Sequence, residues 1–99
     1  MAQDSEKRRI VRNSFLQKIS LQVTREMEGR LEFLEGSGYG IDINSHGLGL
    51  KANLPLLKGD VVKAQIPSMS EGTFLPVLSQ VVWSRKENSE FRVGLRFLS

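Results

Sequence analysis

Three arginines stand close together near the N-terminus, in the run Arg8-Arg9-Ile10-Val11-Arg12. Thirty residues beyond Arg12 comes a second run, Asp42-Ile43-Asn44-Ser45-His46-Gly47-Leu48-Gly49-Leu50. A guanidinium is planar, permanently charged and fork-shaped, which suits it to phosphate oxygens and to the O6/N7 edge of guanine. The second run sets a carboxylate, an amide and a glycine-containing turn within Asp42 to Gly47. A carboxylate accepts the N1-H and N2-H of guanine, a donor pair that adenine lacks. Together the runs offer cations for phosphate, an acceptor for the guanine edge, and backbone that permits close approach. Several charge-assisted hydrogen bonds at ~1.5–3 kcal/mol each can offset the ordering of a few residues at ~1–2 kcal/mol each. Each run alone also has a plainer reading. The first is then a solvated basic tail, and the second a tight turn between strands in which Asp42 caps backbone amides.

Composition narrows the field. The chain has 99 residues, enough for one domain with one modest core. Its hydrophobic and charged fractions, 39% and 25%, are those of an ordinary globular protein. There is no cysteine, which excludes disulfides, thiolate metal sites and thiol nucleophiles. The single histidine, His46, has no spacing for a metal site and reads as an exposed turn residue. No apolar run approaches the ~20 residues that span a bilayer. The start, Met1 to Lys7, lacks the apolar segment of a signal peptide, so no membrane insertion and a cytoplasmic location are expected. A net charge of +3 is too small to argue for nucleic acid by itself.

These side chains need elements to hold them. Residues 1–13 read as a flexible basic arm, and 14–99 as a single β domain. Ile19, Leu21 and Val23 alternate with polar residues, the period of a strand. Gly29 marks a turn. Leu31, Phe33, Ile41 and Ile43 suggest a second strand, with a bulge, bend or loop at Gly36-Ser37-Gly38-Tyr39-Gly40. Leu48 to Ala52 reads as a third strand, Leu54 to Asp60 as a connection, and Val61 to Ile66 as a fourth strand stopped by Pro67. Phe74 to Trp83 is a long apolar strand, with Pro76 expected at its start or on an edge. Glu87-Asn88-Ser89-Glu90 is a polar hairpin turn, and Phe91, Val93, Leu95 and Phe97 alternate through the last strand. The best helical candidate, Val23 to Leu34, is opposed by Gly29 and by the β pattern before it. The pattern predicts an all-β fold: a small antiparallel β-barrel of about six strands, with no C-terminal helix after Ser99.

The two runs, in this order, resemble the signature of PilZ domains, bacterial receptors for cyclic di-GMP. The family shows Arg-x-x-x-Arg before the first strand and Asp/Asn-x-Ser-x-x-Gly at the end of the second. Here Arg8-x-x-x-Arg12 matches the first. Asp42, Gly47 and the Leu48-Gly49-Leu50 continuation match the second. Lys58-Gly59-Asp60, Val81-Val82-Trp83 and Val93-Gly94-Leu95-Arg96-Phe97 are similar to the family's later strands, so the resemblance runs from about Lys7 to Leu98. One position departs: Asn44 stands where the family has Ser.

The resemblance implies a cytoplasmic sensor that binds cyclic di-GMP and passes the signal to an unidentified effector protein, with no cofactor beyond that ligand. By resemblance, Arg8, Arg9 and Arg12 wrap the ligand, Asp42 and Asn44 hold the guanine edge, and Gly47 keeps the turn compact. Trp83 is either core or a partial lid on a base, with core packing slightly favoured. Arg85, Lys86, Arg92 and Arg96 form a solvated face or a supplementary anion surface. Any catalytic output is expected from another protein. The rival readings are a ligand-free PilZ-like interaction module, favoured by Asn44, and a small basic barrel for single-stranded nucleic acid. The latter needs several exposed aromatics, whereas most of the five Phe occupy core-like alternating positions, so no specific nucleic acid is expected.

Overall fold

The computed structural model describes residues 17–67 and 72–98. These form six strands: β1 Lys18–Met27, β2 Arg30–Ile43, β3 Gly47–Ala52, β4 Val61–Pro67, β5 Phe74–Glu87 and β6 Glu90–Phe97. All neighbours are antiparallel, and the order β1-β2-β3-β6-β5-β4 closes when β4 pairs with β1. The expected all-β barrel is therefore the observed one. Closure leaves no open sheet edge over the paired lengths.

Period-two patterning builds the core. Ile19, Leu21 and Val23 of β1 point inward with Leu48, Leu50 and Ala52 of β3, Val62, Ala64 and Ile66 of β4, Val81 of β5, and Val93 and Leu95 of β6. Their alternate neighbours face water, so each strand carries one apolar and one outward row. The β1–β2 turn holds Glu28 and Gly29 at φ of 53° and 78°, which gives a two-residue hairpin turn matched to strand twist. Val23 to Leu34, the helical candidate, is this hairpin. The glycine cluster does not interrupt β2. The strand runs through it, and its irregularity is a bulge between Gly40 and Asp42.

The phenylalanines correct one expectation. Phe91 and Phe97 pack against the core, but Phe33 and Phe74 are exposed at 74% and 56%, so alternation did not bury them. Phe33 pairs with Thr24, an outward position. Pro76 lies near the start of β5, where β4 is hydrogen-bonded on one side and β6 has not yet begun pairing.

The connection from β3 to β4 crosses one end of the barrel. Leu56 is buried beneath it. Asp60, only 4% exposed, anchors it: its carboxylate accepts Arg25 Nε and Nη2 at 3.0 and 2.8 Å and the Leu57 amide at 2.9 Å. Arg25 also donates to the Pro55 carbonyl. The hydrogen bonds to Asp60, opposed by burial, raise the Arg25 guanidinium above its ordinary pKa. A raised cation keeps its contribution at every pH below its ordinary value and loses it only as pH rises through the raised one. On the Arg25 side, the tie therefore holds across the whole acid-to-neutral range. Gly59 and Asp60 then bond the carbonyl and amide of Val81, fixing β5 at that point.

Removing one partner of a buried pair costs about 3–5 kcal/mol. Asp60→Ala is therefore expected to lower the unfolding free energy by about that amount in urea denaturation, with part recovered by adding Arg25→Met. A loss below about 1 kcal/mol, the range of exposed pairs, would show the tie to be incidental.

Candidate ligand site

Two strands carry one extra residue each. In β2, Gly40 pairs with buried Leu50 and Asp42 pairs with Gly49, which leaves Ile41 between them. In β5, Val81 pairs with Leu95 and Trp83 with Gly94, which leaves Val82. Without the insertions, Asp42 would share the inward phase of Gly40, and Trp83 that of Val81. A bulge shifts the phase by one and re-aims the side chains beyond it. Asp42 and Trp83 therefore face outward. This corrects the core reading of Trp83, which is 43% exposed.

The pairings set Asp42, Gly49, Gly94 and Trp83 in one outward row across β2, β3, β6 and β5. The two central positions have no side chain, so the row has a flat floor and two walls. A Cβ on Gly49 would lie 2.7 Å from Asp42 Oδ1, and one on Gly94 would lie 2.3 Å from Trp83 Nε1. The carboxylate thus leans over Gly49 and the indole lies across Gly94. These two residues stand about one strand spacing apart, ~4.8 Å. An aromatic ring laid on the indole presents its edge to the carboxylate.

The β2–β3 turn closes one side of the floor. Asn44 Oδ1 accepts the amides of His46 at 2.7 Å and Gly47 at 3.1 Å, while the Asn44 amide donates to the Gly47 carbonyl. This Asx turn makes Asn44, not Asp42, the backbone cap. Asp42 is left free of the capping role proposed for it. Among the described residues the Asn44 Nδ2 hydrogens have no acceptor, so they remain for another. Gly47 is required for close approach, because a Cβ there would lie 2.0 Å from the Leu95 carbonyl oxygen of β6.

The depression has a volume of about 320 Å³ and is bordered by Asp42, Asn44, Gly47, Trp83 and Arg96, among others. That is near the small end of the ~300–1,000 Å³ range of ligand pockets. Four of the residues singled out from sequence, Asp42, Asn44, Gly47 and Trp83, thus come together. The other three, Arg8, Arg9 and Arg12, lie outside the described residues, as does the rest of the proposed arm. The floor glycines escaped notice as site residues. Their signal was the matching triplets Leu48-Gly49-Leu50 and Val93-Gly94-Leu95, each placing glycine at an outward position of a paired strand. Among the described residues, no three His, Asp or Glu side chains converge as a metal would need. No helix among them is long and apolar enough to cross a membrane.

The family model of the PilZ domain matches residues 6–99. The chain belongs to the PilZ domain family. No curated protein matches it. PilZ domains are generally receptor modules that bind cyclic di-GMP. The match includes both the arginine run and the Asp42–Gly47 turn, so both signature segments lie inside the PilZ domain.

Trp83 is the only tryptophan, so its emission reports this site alone. Gly94→Ala is expected to push the exposed indole off β6 and shift its emission to the red, with little change in melting temperature because the ring can swing into solvent. Unchanged emission would mean that Gly94 does not seat Trp83.

Proposed function

We propose that this PilZ domain is a receptor for cyclic di-GMP, working in the cytoplasm, that passes the level of the second messenger to a partner protein. The observation that carries the reading is the outward row of Asp42 and Trp83 around a glycine floor. A guanine stacked on Trp83 gives its N1-H and N2-H to the Asp42 carboxylate, and the Asn44 Nδ2 hydrogens lie beside it for a ring or exocyclic acceptor. Stacking on an aromatic contributes ~1–3 kcal/mol per base.

Phosphate falls to Arg8, Arg9 and Arg12. The Gln17 carbonyl accepts the amide of Gly40, so the chain enters beside β2, at the Asp42 wall. Arg12 is five residues upstream of Gln17, an extended reach of up to about 17 Å. Asp42 to Trp83 is three strand spacings, about 14 Å. A wrapping arm can therefore cover the floor, and its ordering around the ligand is the output that a partner reads. By family, the process is motility, adhesion or biofilm control.

Asn44 is compatible with this function because the family serine would serve the same turn. Ser makes such turns more weakly than Asn. Calorimetry with cyclic di-GMP is expected to give a Kd in the micromolar range or tighter. Asp42→Ala should weaken it at least roughly ten- to hundredfold, the equivalent of one of its two charged hydrogen bonds. Asn44→Ser should bind with altered affinity. If wild type is silent and Asn44→Ser binds, the chain is instead a ligand-free interaction module.

A further inference from the structure

Two outward rows flank the floor, one on each side, about two residues or ~6.7 Å away along the strands. On the turn side stand Gly47, Arg96 and Gln80, with Arg96 already donating to Gln80 Oε1 at 3.1 Å. On the other side stand Lys51, Arg92 and Arg85, paired directly across β3, β6 and β5. Like charges placed opposite one another on a sheet destabilise it. Among the described residues, Lys51 and Arg92 have no ion-pair partner, and exposed Arg85 has only half-buried Glu87 at 3.2 Å. The Nε of Arg92 is buried without a hydrogen-bond partner. Arg85 thus has a compensating contact, whereas Lys51 and Arg92 gain no ion pair among the described residues.

We propose that Lys51, Arg92 and Arg85 form a second anion site, separate from the N-terminal arginines, which takes one of the two phosphates of the nucleotide seated on the floor and leaves the other to the arm. The assignment rests on the nucleotide reading above. Three cations spanning about 10 Å match a phosphate-bearing segment better than a single point charge does. Arg92 is half-buried, so it has less side-chain freedom to lose than an exposed arginine, which lowers the ordering cost of binding. Arg85 lies over the Trp83 ring at 5.6 Å, near the limit of a cation–π contact. A base that stacks on Trp83 takes that place and turns the guanidinium toward the phosphate. The charge changes sign one row further out, where Glu87 pairs with Glu90, so the positive stripe is bounded on the hairpin side. The ligand is thereby oriented: its base lies on Gly49 and Gly94, and the phosphate held by this row points away from the Asn44 turn.

The test uses the full chain in two arms. Inorganic pyrophosphate is titrated into the isotope-labelled protein while backbone amide shifts are followed, and cyclic di-GMP binding is measured by calorimetry for wild type, Arg92→Gln and Lys51→Gln/Arg85→Gln. Pyrophosphate should move the amides of Lys51, Arg92 and Arg85, less so at high salt, and both variants should lose about tenfold or more in cyclic di-GMP affinity. Unmoved amides together with wild-type affinity in both variants would overturn the site. Amides that move with pyrophosphate while wild type takes no cyclic di-GMP would support the anion site and overturn its nucleotide occupant. Those two failures are therefore told apart.

Discussion

One extra residue in each of two strands decides which side of the barrel wall carries the chemistry. Ile41 and Val82 fit no cross-strand pair, and beyond each of them the inward and outward sides exchange. An antiparallel strand has only two sides, so the alternative is absolute: without the shift, a carboxylate and an indole would be pressed into a core of Leu, Ile and Val. The β5 bulge sits where that strand leaves its β4 neighbour. Gly59 and Asp60 prolong the β4 pairing as far as Val81, and beyond it β5 runs with β6 alone. The part-buried Arg25–Asp60 pair, whose Asp60 makes that contact with Val81, thereby helps to fix the residue from which Trp83 swings outward.

The site is built at a cost to the barrel. Glycine in a strand interior weakens it, yet Gly49 and Gly94 are set opposite one another in the centre of the wall. An indole is held on the outer surface, across Gly94, rather than in the core. Three cations lie side by side in the next row. None of these choices helps a barrel to fold, and together they leave a flat surface with an acceptor at one wall, a stacking face at the other and positive charge beside it. Those are the complementary features of a planar base attached to phosphate.

Much of the fold was legible because alternation is a strong signal. Ile19-Leu21-Val23 and Val93-Leu95 point inward as their period requires, and Gly29 and Asn88 mark the two tight hairpins. The site was legible in composition and less so in geometry. Asp42, Asn44 and Gly47 are close in sequence, so their turn could be read directly. Trp83 is distant in sequence, and a run such as Val81-Val82-Trp83 contains nothing that announces a bulge, since three apolar residues fit either phase. Phe33 misled for a related reason: an aromatic at an alternating position does not reveal which of the two phases faces the core. The capping role passed from Asp42 to Asn44 because the amide oxygen of Asn44 lies within reach of both the His46 and Gly47 amides.

The central claim is that Asp42 and Trp83 read a guanine base between them. Trp83 fluorescence during titration with cyclic di-GMP and, separately, cyclic di-AMP tests it most directly, because both ligands can stack and only guanine offers the N1-H and N2-H pair to a carboxylate. Saturable quenching by cyclic di-GMP, with a response to cyclic di-AMP at least about tenfold weaker, is the expected result for the loss of a charged hydrogen bond. Equal responses to the two dinucleotides, or none to either, would contradict it.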